Sequence, residues 1–422
     1  MAKTIRILSI DGGGIRGILP AMLLAWLERR TGQPVSKLFD IIAGTSTGGI
    51  LALGLTRPNE AGQPAFSADE MVALYEREGS RIFSSNFWHK LWSLGAIGDQ
   101  KYPSKGVDEV LRRYFGQTRL SEALTSVVVP SYEIERRVPF FFKSESARAQ
   151  TTHDFPMWQV ARATSAAPTY FEPARIDTSR AGDYWALIDG GVFANNPAAC
   201  ALVEARTQFP DAKDYVVCSL GTGVLKRRIA YEDARHWGLA RWAKPVLDIV
   251  LDSVSETVDY QLRQLLPPGS YYRFQTSLQR GSEKLDETDA RHIRGLRLLG
   301  EQMVRENAPA LERLAGALTP LNNRSVVPAA VPVDAGPGRL WGPARTARFE
   351  RRRIHKLRPR PGPGIALWAV PYATPRAPCG LVPGPMARPL RSPKAPSDDA
   401  GRPCSPPSGF RRAFRVGARR TR

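Results

Sequence analysis

Two glycine-rich turns in the first 55 residues each follow a predicted strand and precede a predicted helix. Residues 4–10 form an apolar run typical of a buried strand, and residues 18–30 have apolar side chains at helical spacing. The order then repeats, with a predicted strand at 38–43 and a predicted helix at 47–55. Strands that alternate with helices predict a mostly parallel sheet covered by helices on both faces.

The same alternation continues further along the chain. Additional strands are predicted at residues 126–134, 138–143, 185–188, 215–220 and 271–275. Additional helices are predicted at residues 68–78, 107–114, 158–166, 198–207, 246–265 and 288–317. The sequence therefore predicts one α/β domain over residues 1–322.

The composition changes after residue 322. Residues 325–422 contain 20 Lys and Arg against 4 Asp and Glu, so most of the net charge of +20 lies in this segment. The segment also has 18 Pro and 10 Gly, which predicts a disordered tail over residues 323–422. Two interpretations of the tail stay open. It is either a basic arm that docks on anionic lipid or nucleic acid, or, as we favour, a frameshift product or unrelated extension.

Residues 44–48 read Gly-Thr-Ser-Thr-Gly and lie between a predicted strand and a predicted helix. This context predicts a nucleophile elbow, in which the strand carries a serine into a sharp turn that small neighbours allow to close. The N-terminus of the following helix favours a developing anion. The alternative is a glycine-rich turn that binds nothing. The predicted nucleophile is Ser46, and the elbow is completed by Gly44, Thr45, Thr47 and Gly48.

Residues 11–17 read Asp-Gly-Gly-Gly-Ile-Arg-Gly and include the Gly-x-Gly-x-x-Gly pattern of dinucleotide-binding proteins. That use requires an acidic residue at the end of the second strand, whereas Asp40 lies at its predicted start. We therefore prefer an oxyanion hole built from backbone N–H groups. A nucleotide-binding Rossmann-like protein stays as the alternative. The residues assigned to the hole are Gly12, Gly13, Gly14 and Arg16.

A serine nucleophile needs a base, and the best candidate is Asp189. It ends a predicted strand and is followed by Gly190 and Gly191, at the position where active groups of open α/β sheets collect. Burial beside an apolar pocket would raise the pKa of this carboxyl toward neutral pH. His236 and His292 come in the right order for a Ser-Asp-His triad, but both lie in polar, helix-like stretches. The alternative for the aspartate is an ordinary Asp-Gly turn.

Several further features bear on lipid contact and location. The apolar residues of 82–97 predict either a lid or lipid-docking helix or, as we favour, a helix that faces the core. The three phenylalanines at 140–142 are either strand core or the lining of an acyl pocket. Four cysteines without a C-x-x-C pair indicate a reducing compartment, and neither a leader nor a membrane-spanning run is predicted.

Together the motifs resemble those of the patatin-like phospholipases. The resemblance rests on the glycine cluster at 11–17, Gly-Thr-Ser-Thr-Gly at 44–48 and Asp-Gly-Gly at 189–191. The stretches at 161–171 and 219–223 are similar to others in the family, and the whole covers residues 4–318.

The resemblance implies a three-layer α/β/α fold and a Ser–Asp dyad without a catalytic histidine. Ser46 would be the nucleophile, Asp189 the base, and the amides around residues 12–14 the oxyanion hole. The implied activity is acyl hydrolysis of phospholipids, galactolipids or lysolipids, with no cofactor and no metal. The expected partners are a membrane phospholipid or lysolipid substrate and, through peripheral contact from the cytoplasm, the membrane surface. Some bacterial members act in anti-phage defence, which makes a cyclic nucleotide a candidate activator; a nucleic-acid partner is not expected.

Overall fold

The computed structural model describes residues 3–83, 104–168, 170–180, 182–224, 229–278 and 287–319. All of them belong to the first of two compact units, Met1–Val331. The predicted tail and residues 84–97 of the predicted apolar helix lie outside the described residues, so the expectations for them stay predictions.

An eight-stranded sheet forms the centre of the described domain. Its order is β5-β6-β3-β2-β1-β7-β8, and β4 also pairs with β3. Strands β8, β7, β1, β2 and β3 run parallel, whereas β4 and β6 are antiparallel to β3, and β5 is antiparallel to β6. The strands are β1 (Ile5–Ile10), β2 (Ile41–Gly44), β3 (Ser126–Glu133), β4 (Val138–Lys143), β5 (Ala174–Asp177), β6 (Tyr184–Asp189), β7 (Tyr215–Leu220) and β8 (Tyr271–Phe274).

Helices connect most of the strands. In chain order they are α1 (Ile18–Thr31), α2 (Val35–Leu38), α3 (Thr47–Thr56), α4 (Ala68–Phe83), α5 (Ser104–Phe115), α6 (Ser144–Ala149), α7 (Met157–Thr164), α8 (Gly191–Ala194), α9 (Ala198–Gln208), α10 (Tyr231–Ala234), α11 (Leu239–Leu265), α12 (Ala290–Glu306) and α13 (Ala308–Leu318). Short 3₁₀ turns cover Gly14–Gly17, Leu120–Glu122 and Thr151–His153.

The sheet is buried on both faces because successive side chains of a strand point to opposite sides. In β1, Leu8 and Ile10 belong to a large core shared with α1, α3, α4, α7 and α12. Ile5 and Ile7 belong to a smaller core on the other face, shared with α9 and the C-terminal end of α11. The expected three-layer α/β/α fold is therefore confirmed.

Several predicted element boundaries are wrong. The strand predicted from residue 38 begins at Ile41, because the preceding residues form the short helix α2. The helix predicted over 288–317 is two helices, which meet at Asn307, and Pro309 lies in the first turn of the second, where its missing N–H is not needed. Helix α11 begins at Leu239 rather than at residue 246 and continues through Pro245. Strand β5 was not predicted.

Strand β6 runs antiparallel to its neighbour β3 rather than parallel to it, and this direction places Asp189 relative to Ser46. Asp189 pairs with Ser131 of β3, while Ala43 of β2 pairs with Val128 of β3. Ser131 lies three residues beyond Val128, and Ser46 lies three residues beyond Ala43. The serine and the aspartate therefore reach the same level of the sheet from opposite chain directions.

The aromatic side chains of β4 fill the two cores. Phe142 is buried in the larger core and Phe140 packs against it, while Phe141 packs against the smaller one. Ile82 and Phe83, the described start of the predicted apolar helix, are buried as well. Within the described part of the chain, no helix is long and apolar enough to cross a bilayer.

Candidate active site

Ser46 lies at the sharp turn between β2 and α3. Its φ of 56° and ψ of −122° are rare for a residue with a side chain, so the surrounding structure has to hold this conformation. Glycines close the turn on both sides: a Cβ on Gly44 would overlap the carbonyl oxygen of Gly48, and a Cβ on Gly48 would overlap that of Ile10. This is the geometry of a nucleophile elbow.

Thr164, at the end of α7, holds the strained backbone of Ser46. The Ser46 N–H donates to Thr164 Oγ1 over 2.9 Å, and the threonine hydroxyl donates to the carbonyl oxygen of Pro130 over 2.6 Å. Both contacts are buried or nearly so, and the threonine side chain is itself fully buried. Thr164 therefore connects the elbow to strand β3.

Replacement of Thr164 by valine is expected to lower the free energy of unfolding by about 2 kcal/mol. Valine has a similar shape but leaves the Ser46 N–H without its acceptor and the Pro130 oxygen without its donor. Thr164→Ser keeps the hydroxyl and should cost less than half as much. Urea unfolding of the three proteins measures the difference; equal losses for valine and serine would show that the hydroxyl is not what matters.

The two threonines of the elbow, Thr45 and Thr47, point into the protein. Thr45 Oγ1 donates to the carbonyl oxygen of Ala194, at the end of α8, over 2.6 Å. Thr47 Oγ1 and the hydroxyl of Tyr75 on α4 are 2.5 Å apart. These contacts leave Ser46 as the hydroxyl of the elbow that faces the opposite side chain, Asp189.

The side chain of Ser46 neighbours the Asp189 carboxylate, and its hydroxyl favours the charged form of that carboxylate, which lowers the pKa. Oδ1 of the carboxylate accepts the N–H of Gly191 over 2.7 Å, which fixes the orientation of the group. Asp189 is 5% exposed, and burial raises the pKa of its carboxyl to about 6, although both contacts oppose the increase. Such a carboxylate is a far stronger base than an exposed aspartate.

The glycine loop after β1 lies beside this pair. A Cβ on Gly12 would stand 3.3 Å from Cβ of Ser46. The N–H of Gly12 already donates to the carbonyl oxygen of Asn195 over 3.0 Å. The N–H groups of Gly13 and Gly14 have no acceptor among the described residues. Of the three predicted donors, these two amides are the ones left to bind an oxyanion.

Arg16 packs against the same loop. Its side chain donates to the carbonyl oxygens of Gly13 over 3.3 Å and Gly223 over 3.5 Å. Burial lowers the pKa of its guanidinium to about 10, partly offset by Asp252 and Asp248 of α11. The side chain is still protonated at neutral pH, so it braces the loop and adds positive potential to it.

Sequence reasoning assigned no role to two further residues that support the loop, Thr222 and Asn195. Thr222 Oγ1 donates to the carbonyl oxygen of Gly12 over 2.6 Å. Asn195, besides its contact with Gly12, donates through Nδ2 to Ser255 Oγ on α11 over 2.9 Å. Thr222 lies in the stretch 219–223 that resembles the family, and Asn195 directly follows α8, but neither position indicated a contact with the loop.

The two candidate triad histidines lie elsewhere. His236 is exposed and accepts a hydrogen bond from Arg235 Nε over 2.8 Å, and His292 is buried in the first turn of α12. Within the described ranges, the side-chain oxygens of Asp189 contact Ser46 and Gly191 but no histidine. The same ranges contain no group of three or more His, Cys, Asp or Glu arranged to hold a metal ion.

A family model and the similar proteins point to the same family. The family model described as Patatin-like phospholipase matches residues 8–202. Patatin-like protein 4 of Arabidopsis thaliana is 31% identical over 72% of this chain and 84% of its own length. Patatin-like protein 2 of the same plant is 33% identical over 72% of this chain and 83% of its own. The solved structure of VipD from Legionella pneumophila covers 72% of this chain and 67% of its own at 13% identity, but its TM-score of 0.30 is too low to support an argument.

Proposed function

The chain belongs to the patatin-like phospholipase family, and from this membership we propose that it is a serine lipid acyl hydrolase with a Ser46–Asp189 dyad. Membership in the family supports lipid hydrolysis as the activity, and the dyad names the two residues that we propose carry it out. The observation that carries this assignment is the placement of Ser46 in a strained elbow beside the buried Asp189 carboxylate, which the Gly191 N–H orients and whose pKa burial raises to about 6. A hydroxyl paired with a base of that strength is an activated nucleophile.

The reaction would proceed in two steps. Asp189 takes the proton of Ser46 as the hydroxyl oxygen attacks the ester carbonyl, and the N–H groups of Gly13 and Gly14 bind the oxyanion. Protonated Asp189 then gives the proton to the departing alcohol or lysolipid, which leaves an acyl-serine. Water attacks the acyl-serine with Asp189 again as the base, and the fatty acid and free Ser46 result.

The rate of hydrolysis is expected to follow the ionisation of Asp189. Its pKa of about 6 means that the carboxyl is protonated, and unable to accept the serine proton, at lower pH. We therefore expect kcat/KM on a soluble short-chain ester to rise about tenfold per pH unit below pH 6 and to level off above about pH 7. A profile that instead rises only with a mid-point near pH 4 would contradict a buried aspartate base.

Release of fatty acid from defined lipids tests the proposed activity. The purified protein is incubated with vesicles or micelles of phospholipid, lysophospholipid, galactolipid and triacylglycerol, and free fatty acid is quantified by mass spectrometry. We expect release from at least one membrane lipid class. No release from any of these esters, by protein that reacts with a fluorophosphonate at Ser46, would exclude lipids as the substrate.

The glycine loop also bears on the alternative of a nucleotide-binding protein. The Gly-x-Gly-x-x-Gly pattern at 12–17 overlaps the loop assigned to the oxyanion, so a nucleotide would compete for the same amides. Activation by a cyclic nucleotide, a role in anti-phage defence, membrane contact and nucleic-acid binding by the tail stay predictions from the sequence.

A further inference from the structure

An ion pair buried below the glycine loop has no role in the dyad as proposed. Asp11 directly precedes the three glycines, and Arg273 lies on β8, 262 positions later in the chain. Arg273 Nη2 contacts Asp11 Oδ2 over 2.6 Å and Nη1 contacts Oδ1 over 2.9 Å, a two-pronged pairing. The side chains are 4% and 2% exposed. Water therefore contributes little to solvating either charge.

The pair ties the start of the loop to the two strands on one side of β1. Arg273 Nη1 also donates to Ser219 Oγ on β7 over 2.9 Å. The backbone N–H of Asp11 donates to the carbonyl oxygen of Leu220, the last residue of β7, over 2.9 Å. Both the side chain and the backbone of Asp11 are thus held before the chain enters the glycines.

Beyond Asp11, the loop is held at Gly12 and at the carbonyl oxygen of Gly13, which accepts from the backbone N–H of Arg16 over 3.2 Å and from its side chain over 3.3 Å. The N–H of Gly12 donates to Asn195 and its carbonyl oxygen accepts from Thr222, so the peptide planes on both sides of Gly12 are set. The next two N–H groups are those of Gly13 and Gly14, which have no acceptor in the described part of the chain. The Gly13 N–H shares a peptide plane with the Gly12 carbonyl, and the Gly14 N–H shares one with the Gly13 carbonyl, so Thr222, Arg16 and the anchored Asp11 together set their directions.

We propose that Arg273 is a positioning residue for acyl transfer, which acts through Asp11 to hold the Gly13 and Gly14 N–H groups where the oxyanion develops. The inference rests on the proposed function. Arg273 lies outside residues 8–202, the part of the chain that the family model matches. A buried ion pair is a poor device for stability alone, because apolar residues of similar size often stabilise as well or better. The planar, two-pronged contact between Arg273 and Asp11 instead fixes the orientation of the Asp11 side chain, and with it the start of the glycine loop.

Arg273→Lys tests the proposal because it keeps the charge and removes the two-pronged contact. Active sites are counted by titration to completion with a labelled fluorophosphonate, and kcat and KM on a soluble short-chain ester are expressed per titrated site. We expect kcat to fall about 10- to 100-fold, with KM within about twofold of wild type, because displaced donors should cost less than the roughly 10²- to 10³-fold loss that follows removal of one donor. Asp11→Asn, assayed the same way, should fall in the same range.

The matched control is Arg6→Lys. Arg6 lies at the other end of β1 and makes a similar two-pronged pair with Asp40, with contacts of 3.0 and 3.3 Å. This variant should lose stability but keep kcat per site within about twofold. If Arg273 had a purely structural role, its lysine variant would behave like Arg6→Lys, with fewer sites titrated by the fluorophosphonate but an unchanged kcat per site. That result for both Arg273→Lys and Asp11→Asn would overturn the proposal. Labelling that persists in Ser46→Ala would instead refute the proposed dyad, so the two failures are distinguishable.

Discussion

Ser46→Ala is expected to reduce ester hydrolysis by at least about 10⁴-fold and to abolish labelling by a fluorophosphonate. In the proposed mechanism the hydroxyl forms the bond to the acyl group, and no other elbow side chain can replace it, because Thr45 and Thr47 are engaged with Ala194 and Tyr75. Mass spectrometry of the labelled peptide identifies the modified residue, and a fluorogenic ester measures the rate.

Ser80→Ala is a suitable control for this experiment. Ser80 is an exposed serine on α4, and its loss should change neither labelling nor turnover. Circular dichroism and the unfolding temperature of Ser46→Ala should match those of wild type or exceed them, since alanine removes a polar group from a strained position. Labelling that survives in Ser46→Ala would mean that another residue is the nucleophile.

Asp189→Asn is expected to lower kcat by roughly 10³-fold while the fold is kept. Asparagine can still accept the N–H of Gly191 but cannot take a proton from Ser46. The control is Asp177→Asn on β5, whose carboxylate is 73% exposed and pairs with Arg175. If His236→Ala proved as damaging as Asp189→Asn, a conventional Ser-His-Asp triad would be indicated instead.

The same substitution should stabilise the protein at neutral pH. The folded-state pKa of Asp189, about 6, lies above the value of about 3.9 expected in the unfolded chain. Between these values the folded state binds a proton that the unfolded state does not, so stability falls as pH rises from about 4 to 6. The difference between the two pKa values corresponds to a change of about 3 kcal/mol in the free energy of unfolding.

Asparagine does not titrate, and the advantage of Asp189→Asn should therefore grow over that interval and stay constant above pH 7. Chemical unfolding of both proteins at pH 4.5, 6 and 7.5 measures it. An advantage that does not change with pH would mean that the carboxyl is not buried as the structure has it.

The order of strands and helices was accessible from sequence because apolar runs and helical periodicity are local properties. Strand direction was not. Nothing within residues 184–189 distinguishes a strand parallel to β3 from one antiparallel to it, and the pairing of Asp189 with Ser131 is set by the whole chain. The four-residue strand β5 was missed for a related reason: with Arg175 and Asp177 on its exposed side, it carries too little apolar signal.

The candidate site divides in the same way. Ser46 and Asp189 lie in motifs whose spacing relative to strands and glycines is visible in sequence. Thr164 lies in the family-like stretch 161–171, but neither its contact with Ser46 nor that of Arg273 with Asp11 could be predicted, because each joins residues more than 100 positions apart. The assignment of Gly12 to the oxyanion hole could not be refined either, since only the fold reveals that its N–H already donates to Asn195.

The placement of β1 has a consequence for synthesis of the protein. It lies between β2, which follows it closely, and β7, whose pairing joins Ile10 to Leu220. During synthesis the elbow with Ser46 thus emerges early, but the glycine loop gains its contacts with β7 and β8 only when those strands have been made and have paired. The proposed hydrolase would therefore complete its active site only after nearly the whole domain has been translated.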